Sequence, residues 1–425
     1  MWILYILYEI SGILILPLAI VFYLKRISGK NSHWEERIGI YPKYIKNLSK
    51  KKTIWFHAVS IGEISTIIPI IKELQKRFSD INIILSCSSK SGREIANKQI
   101  PDIHVIFLPI DFYYIVQKSI RLIKPSLFIL IEAEVWPNLL KILHNKNCHI
   151  IMLNGRISRN SFKIYKKFYI FFRKILSYID IFVMRSQEDA QRIIKLGAEE
   201  KKVKITKSLK FDKAYFLSLS PIQHNFIKEK IIVFGSIHPG EEEPIVSICQ
   251  DILNSFSDIS IVIAPRYLDK TKIFSILNQR KTDYVRKSKW KNEYFKILIL
   301  DVYGELTNFY RICQFAFVGG SLIPAGGQNP IEPFAFKKCV IFGKYNWDFK
   351  EEWNLLKQKN AGIQINDFNE LLDKIFYLLR NPGISKKMGE NGYNVIMENK
   401  GAIEESIKII EFFLQENKEK DYQGQ

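Results

Sequence analysis

The order of apolar runs and helical patterns constrains the fold of this chain more than any other feature. Short apolar runs typical of buried strands alternate with longer segments that have helical periodicity. Strands in such an alternation run parallel, because the connecting helices cover the sheet. The first half of the chain contains seven such runs: Lys52–His57, Ile81–Cys87, Val105–Leu108, Leu127–Glu132, His149–Asn154, Ile181–Arg185 and Val203–Thr206.

The alternation weakens across Phe211–Lys230 and then resumes. The second series has five runs: Ile231–Gly235, Ser260–Ala264, Ile297–Leu300, Phe315–Val318 and Val340–Phe342. We therefore predict an α/β chain of two doubly wound, Rossmann-like domains facing a cleft, at 30–212 and 231–416, with a linker at 213–230. Ligands of such sheets bind beyond the carboxyl ends of the strands.

The amino-terminal segment Met1–Leu24 is apolar and long enough to cross a bilayer as a helix. It lacks a positively charged start and an AxA-like site, which argues against a removable signal peptide. Lys25 and Arg26 follow at once, and positive charge collects on the cytoplasmic side. We expect a membrane anchor at 1–24 and a cytoplasmic body. A helix lying in the membrane surface and a soluble core helix are the alternatives.

The formal net charge of +20 favours anionic partners, such as nucleic acid, anionic lipid or phosphorylated substrates. The basic residues are dispersed and form no recognisable nucleic-acid module, and a biased genome would also enrich lysine. The five cysteines form neither a CxxC pair nor a Cys/His cluster. This pattern fits a reducing compartment and argues against structural zinc.

The first candidate catalytic residue follows the run that ends at His57. A turn containing Ser60 and Gly62 leads into a helix beginning near Glu63. Glu63 should therefore lie at the carboxyl end of a strand, where a carboxylate can take the proton of an attacking hydroxyl. The structural alternative is a favourable interaction of Glu63 with the dipole of its own helix.

Two further carboxylates, Glu132 and Glu134, end the fourth run. They are two residues apart, so they point to opposite faces if the strand continues, and only one need face the cleft. Pro137 is suited to begin the next helix. A structural role for at least one of the two carboxylates is expected.

Two segments of the second half carry polar residues at strand ends. In GSIHPGEEE, a strand leads into a glycine-containing turn and a helix start whose backbone N–H groups could hold an anion, although Glu241–Glu243 also suit helix capping. His238 has no metal partner at ligand spacing. Arg266 could pair with a phosphate or stack on a base, or be an ordinary surface residue.

The most specific segment is Asp301–Phe336, which contains GGSLIPAGGQNPIEP. Its glycines permit close backbone approach to a ligand. A helix beginning near Asn329 would direct N–H groups at a phosphate, and Glu332 could accept hydrogen bonds from ribose hydroxyls. The segment is neither a P-loop nor a GxGxxG motif.

Together these segments resemble the bacterial transferases of 3-deoxy-D-manno-octulosonic acid (Kdo), glycosyltransferase family 30. The resemblance runs from His33-Trp-Glu-Glu-Arg-Ile-Gly39 to Gly343 and covers nearly the whole chain. The matching blocks, in order, are HAVSIGE, EAEVWPN, LNGRIS, SLKFD, GSIHPGEEE, APR, YGEL and GGSLIPAGGQNPIEP. The resemblance implies a GT-B architecture, with an amino-terminal acceptor-binding domain and a carboxyl-terminal nucleotide-sugar-binding domain.

The resemblance also implies roles for individual residues. Glu63 is the catalytic base of an inverting transfer from CMP-Kdo to the lipid A precursor, lipid IVA, and Glu132 and Lys210 assist the transition state. No metal or other cofactor is expected, and the partners are CMP-Kdo, the lipid acceptor and anionic inner-membrane lipids, not nucleic acid. The positions that match CMP binding are Pro265, Arg266, Tyr303, Gly304, Glu305, Asn329, Pro330, Ile331 and Glu332.

The chain departs from the family pattern at three places near these positions. Thr206-Lys207-Ser208 replaces Thr-Gly-Asn, Tyr303 replaces a common methionine, and Gln328 replaces a common histidine. These changes affect local contacts near the cleft and leave Glu63, Lys210 and Glu332 in place. Another GT-B glycosyltransferase that uses a UDP-sugar is the nearest alternative function. A non-catalytic binder of anionic lipid or nucleic acid would explain the charge but not the motifs.

Overall fold

The chain divides into two compact units, each with its own parallel sheet. The computed structural model describes residues 8, 33–46, 48, 51–132, 135–219 and 230–422. The first unit comprises Met1–Leu209 and Gly401–Gln425, and the second comprises Lys210–Lys400. Apart from Tyr8, the predicted membrane anchor at 1–24 lies outside the described residues. Among the helices that the structure describes, none has the length and apolar character needed to cross a bilayer.

The sheet of the first unit is built from the seven predicted runs. Its strands have the order β3-β2-β1-β4-β5-β6-β7, and every neighbouring pair is parallel. The central strand β4 is buried at every position, as expected for a strand covered by helices on both faces. The strands are β1 Lys52–His57, β2 Ile81–Cys87, β3 His104–Phe107, β4 Leu127–Ile131, β5 His149–Gly155, β6 Ile181–Met184 and β7 Val203–Ile205.

Helices follow the strands of the first unit as the alternation predicts. Pro137 occupies the first position of its helix, where a missing N–H costs nothing. The helices are α1 Trp34–Arg37, α2 Lys43–Lys46, α3 Ile61–Arg77, α4 Lys90–Gln99, α5 Tyr113–Ile123, α6 Pro137–Asn145, α7 Arg159–Lys167, α8 Tyr169–Leu176 and α9 Gln187–Lys195.

The second unit repeats the doubly wound plan. Its sheet has the order β10-β11-β9-β8-β12-β13-β14, and again all pairs are parallel. The five predicted runs form strands, and two short edge strands, β10 and β14, carried no apolar run of their own. The strands are β8 Lys230–Ile237, β9 Ile259–Pro265, β10 Val285–Arg286, β11 Ile297–Ile299, β12 Phe315–Val318, β13 Cys339–Gly343 and β14 Gly362–Ile365.

The remaining helices carry the chain through the second unit and back. They are α10 Leu209–Leu219, α11 Glu242–Ser255, α12 Ile273–Gln279, α13 Leu306–Ile312, α14 Ile331–Phe334, α15 Lys350–Gln358, α16 Phe368–Arg380, α17 Pro382–Asn399 and α18 Ala402–Tyr422. Helix α10 occupies the beginning of the segment that was predicted as a linker. Residues 220–229 of that segment lie outside the described part of the chain.

Helix α18 belongs to the first unit, which differs from the predicted boundary at residue 416. Ile403, Ile407 and Ile410 are buried in the same core as residues of β1 and α3. Arg77 at the end of α3 pairs with Glu404 at 2.8 Å and with Glu411 at 3.3 Å. The apolar face of α18 and these ion pairs attach the helix to the first sheet.

Candidate active site

Glu63 lies in the first turn of α3, shortly after β1, at the carboxyl edge of the first sheet. Ser60 caps α3, and its side chain accepts a hydrogen bond from the Glu63 N–H at 3.2 Å. The Glu63 carboxylate accepts the N–H groups of Val59 at 2.9 Å and Ser60 at 3.3 Å, which completes a capping box. The residue remains partly exposed to solvent. Glu63 therefore has the structural role considered from the sequence, and it still presents a carboxylate at the predicted edge.

Glu132 follows β4, the strand that pairs with β1. Its φ of 60° lies in the left-handed region, which costs energy for a residue with a side chain. Its N–H donates to the carbonyl of Leu153 at 3.0 Å, so the strained backbone is held by β5. Glu132 thus lies at the same sheet edge as Glu63, whereas Glu134 lies outside the described residues.

Lys210, the third predicted catalytic residue, belongs to the second unit. Its ammonium group lies 3.1 Å from a carboxylate oxygen of the buried Glu352 and 4.1 Å from the ring centre of Phe349. Glu352 is only 2% exposed, so the lysine partly neutralises a carboxylate that would otherwise be costly to bury. The sequence did not indicate this partner.

Two predicted donor segments of the second unit contact each other. Arg266 follows β9, is exposed, and lies 5.7 Å from the ring centre of Tyr267. The Leu268 N–H reaches the hydroxyl of Tyr303 at 3.5 Å, a long hydrogen bond. Tyr303 is 70% exposed, which leaves its ring accessible to a ligand. Arg266, Tyr267 and Tyr303 therefore form one exposed patch of basic and aromatic groups, whereas Pro265 is buried at the end of β9.

Glu305 lies next to this patch, at the start of α13. It occupies the N-cap position of that helix without a side-chain cap. Its carboxylate accepts the Asn308 amide at 3.3 Å and lies 3.9 Å from the Lys287 ammonium. These contacts hold Glu305 beside the exposed Tyr303.

The helix predicted near Asn329 is present, but it is too short to have the dipole expected to favour a phosphate at its N-terminus. Helix α14 is a single turn, Ile331–Phe334, and Asn329 accepts the Ile331 N–H at 3.1 Å. One turn carries little of a helix dipole, so this helix by itself would contribute little to holding a phosphate. Glu332 instead takes two side-chain contacts, with Asn329 Nδ2 at 3.3 Å and Lys213 Nζ at 3.4 Å.

His238 joins the donor segments to one another. Its Nε2 lies 3.2 Å from the amide nitrogen of Gln328, and its ring lies 5.4 Å from that of Tyr267, edge to face. Burial, together with the charge of Arg266, lowers the pKa of His238, so the ring is neutral at neutral pH. The ring therefore acts as a spacer between the loops after β8, β9 and β12. The sequence analysis considered His238 only for metal binding.

One of the backbone N–H groups predicted to hold an anion in GSIHPGEEE, that of His238, binds a carboxylate of the chain itself. Glu241 is fully buried, and its carboxylate accepts the N–H groups of His238 and Gly320 at 3.1 and 2.7 Å, and two more from Ser321 and Leu322. Burial raises the pKa of Glu241, while the four N–H bonds act in the opposite direction. These N–H groups are therefore not available to a ligand anion.

The residues described by the structure include no group of three His, Cys, Asp or Glu side chains that could hold a metal ion. All five cysteines are free and buried, and burial raises their pKa values. They are therefore core residues rather than ligands or nucleophiles.

Solved structures of similar fold support the architecture. The chain resembles UDP-GlcNAc 2-epimerase from Neisseria meningitidis bound to UDP-GlcNAc, with a TM-score of 0.59 and 12% identity. The similarity covers 86% of this chain and all of that one. Two doubly wound units with this likeness define the class: the chain has a GT-B-like fold.

Sequence comparisons then identify the family. The family model described as 3-deoxy-D-manno-octulosonic-acid transferase (kdotransferase) matches residues 32–213. A transferase of that name from Rickettsia conorii is 30% identical over 379 residues, which cover 86% of this chain and 80% of the relative. Another, from Haemophilus influenzae, is 27% identical over 419 residues, 96% of this chain and 98% of the relative. The chain belongs to the Kdo transferase family of glycosyltransferases.

Proposed function

We propose that this enzyme transfers Kdo from CMP-Kdo to the lipid A precursor, lipid IVA, in lipopolysaccharide biosynthesis. The observation that carries the proposal is the similarity to Kdo transferases along almost the whole chain, with Glu63 at the carboxyl edge of the first sheet. The second unit binds the donor nucleotide through the basic and aromatic patch around Arg266 and through Glu332.

Glu63 is the general base of the proposed reaction. It takes the proton of an acceptor hydroxyl as that oxygen bonds to the anomeric carbon of Kdo. The bond from the same carbon to the CMP phosphate oxygen breaks, and CMP leaves with the electron pair, so the configuration inverts. A carboxylate offers about four lone-pair sites. Val59 and Ser60 donate to different oxygens of the Glu63 carboxylate, which stays partly exposed to solvent.

Stabilisation of the leaving phosphate falls to cations of the second unit. Negative charge develops on the phosphate in the transition state, and fixed cations favour it. Arg266 is exposed beside Tyr267 and is free to turn towards a phosphate. Lys210 shares its charge with Glu352, so we assign it the smaller electrostatic contribution.

A surface of α7 and α8 supports the proposed contact with anionic inner-membrane lipids. Four apolar residues stand exposed there: Ile164, Phe168, Tyr169 and Ile170, the last at 68% exposure. Residues 156–179 contain seven lysines and arginines and no acidic residue. Apolar groups among basic ones fit the interface of an anionic bilayer.

Tyr8, the described residue of the predicted anchor, contacts the same region. Tyr8 donates a hydrogen bond to Asp111 at 2.8 Å, and its ring lies 6.1 Å from that of Phe171 in α8. We therefore propose an inner-membrane location with both units on the cytoplasmic side. A reporter fused after Gln425 should be active in the cytoplasm, and activity confined to the periplasm would contradict this orientation.

The activity itself is tested by incubation with CMP-Kdo and tetra-acylated lipid A precursor, with product masses measured. We expect a mass increase equal to one or more Kdo residues, each being Kdo less one water, and none when CMP-Kdo is omitted. Thermal unfolding with CMP or UDP tests the donor class separately. Protection by UDP and not by CMP would favour a UDP-sugar transferase.

A further inference from the structure

Glu241 connects two loops at the carboxyl edge of the second sheet. Its oxygen Oε2 accepts the N–H groups of His238 at 3.1 Å and Gly320 at 2.7 Å. Its oxygen Oε1 accepts those of Ser321 at 3.2 Å and Leu322 at 3.1 Å. One fully buried carboxylate thus holds the loop after β12 against the loop after β8.

The loop after β12 passes directly over this carboxylate. A Cβ at Gly319 would lie 2.8 Å from Glu241 Oε2 and 2.6 Å from the carbonyl of Ser236. Gly320 has a φ of +67°, and a Cβ there would lie 2.9 Å from His238 Nε2. Both glycines are required by this close approach, and the path of the loop depends on the position of the carboxylate.

The same loop leads into the residues assigned to donor binding. His238, which donates its N–H to Glu241, also contacts Gln328, the residue before Asn329. Its ring meets Tyr267, next to Arg266, on the other side. A shift of the loop would therefore move several donor-binding segments together.

We propose that Glu241 is a positioning residue that fixes the donor site of the second unit, an inference that rests on the proposed function. Its charge holds the amides of Gly320, Ser321 and Leu322 in place before the donor arrives. Because Glu241 already occupies these amides, the donor phosphate is bound by side chains such as Arg266. A preformed site avoids the cost of ordering the loop upon binding.

The variant Glu241→Gln tests this inference. The amide has one acceptor oxygen, so its NH₂ group must face one of the two pairs of backbone N–H donors. We expect the KM for CMP-Kdo and the Kd for CMP to rise about tenfold or more, because a charge-assisted hydrogen bond is lost. The value of kcat should change much less, since Glu241 does not touch the reacting atoms.

Glu242→Gln is the matched control, since Glu242 is the next residue and is also buried, at 3% exposure. It accepts the Lys272 N–H at 2.9 Å, at the N-cap of α12, and not the amides of the loop after β12. We expect Glu242→Gln to lower the Tm while leaving the KM for CMP-Kdo unchanged. An equal rise of KM in both variants, or an unchanged KM in folded Glu241→Gln, would overturn the positioning role.

Two further measurements keep the test decisive. Glu241→Asp retains the charge but is one methylene shorter, so it should fold and still show a raised KM, even where Glu241→Gln does not fold. Hydrogen exchange at the amides of Gly320, Ser321 and Leu322 needs no nucleotide, and it should accelerate in the Glu241 variants alone. Unchanged exchange rejects the inference, whereas wild-type protein that binds no CMP rejects the proposed donor instead.

Discussion

The two units use the same dipeptide at the same place in their sheets and give it opposite surroundings. Gly62-Glu63 follows β1, and Gly240-Glu241 follows β8, the first strand of each sheet in chain order. Glu63 caps its own helix and remains partly exposed. Glu241 is fully buried and binds amides of another loop.

The difference arises from the neighbouring strand rather than from the dipeptide. Strand β1 pairs with β4, and β8 pairs with β12 in the corresponding way. After β12, Gly319 and Gly320 let the backbone turn closely over Glu241. After β4 the chain continues through Glu132, which has a side chain and a φ of 60°. A glutamate at the end of a first strand is therefore available for chemistry only where no loop covers it.

The largest expected effect comes from Glu63→Gln. An amide cannot take the hydroxyl proton, so turnover should fall by on the order of 10²–10⁴-fold. The Kd for CMP should be unchanged, because Glu63 belongs to the first unit. Purified variants would be compared in the CMP-Kdo transfer assay and by calorimetry with CMP.

Glu73→Gln serves as the control for Glu63→Gln. Glu73 lies on the same helix, pairs with Arg77 at 3.0 Å and is about one-third exposed, at 34%. It should retain wild-type turnover. Near wild-type turnover in Glu63→Gln would mean that Glu63, like Glu241, does not take part in the chemical step. The two glutamates would then not differ in function.

The next effect concerns His57, the last residue of β1, and the pH dependence of the stability of the protein. His57 is fully buried, and burial lowers its pKa from 6.5 to about 4. The folded protein keeps His57 neutral while the unfolded chain takes up a proton below pH 6.5, so stability is lost as pH falls from 6.5 to about 4. At about 1.4 kcal/mol per pH unit, the loss approaches roughly 3 kcal/mol.

Denaturant unfolding of wild type and His57→Asn across this pH range measures the contribution. Both proteins lose stability from other groups in acid, so only the difference between their slopes reports on His57. The variant should show the shallower slope between pH 6.5 and 4. Parallel slopes would mean that His57 does not control acid stability.

A smaller effect is expected for Glu332→Ala in the second unit. The loss of a carboxylate that accepts hydroxyl hydrogen bonds costs roughly 1.5–3 kcal/mol. The Kd for CMP should therefore rise about tenfold or more. Glu390→Ala removes an exposed carboxylate of α17 and should leave the Kd unchanged. A folded Glu332→Ala protein with wild-type CMP affinity would remove Glu332 from the donor site.

The smallest effect separates the two roles of Glu63. Ser60→Ala removes the side-chain cap of α3 but leaves the Glu63 carboxylate in place. Such a cap contributes about 0.5–2 kcal/mol, so the Tm should fall by a few degrees. Turnover with CMP-Kdo should stay close to wild type. A loss of turnover comparable to that of Glu63→Gln would mean that the cap geometry, not the proton transfer, limits the reaction.

Much of the fold follows from the sequence because buried parallel strands leave an apolar signature. All twelve predicted runs form strands of the two sheets. Strand β10 has only two residues, and β14 is only partly buried. Neither strand therefore has the run of apolar residues by which the other strands were predicted. Edge strands of this kind lack the burial on both faces that makes central strands recognisable.

The parts that the sequence could not predict depend on contacts between distant segments. The apolar face of helix α18 does not by itself indicate which sheet the helix packs against. Its place in the first unit is determined by the ion pair of Arg77 with Glu404 and by the burial of its isoleucines in the core of that unit. Glu241 carries the same local signal as any acidic residue at a helix start. Its actual partners, Gly320 to Leu322, lie about eighty residues further along the chain. The predicted catalytic and donor roles stay predictions until the variants are measured.

The return of α18 to the first unit has a consequence for how the protein is made. The second unit is translated between the two parts of the first, so the ribosome must add Lys210–Lys400 before α18 can dock. At about 5–20 residues per second, this interval is on the order of 10–40 s. During that time the nascent first unit lacks the helix that covers part of its core. We therefore expect the second unit to complete its fold before the first unit does, although the first unit emerges first from the ribosome. Chaperones that act on the nascent chain should bind mainly to the first unit.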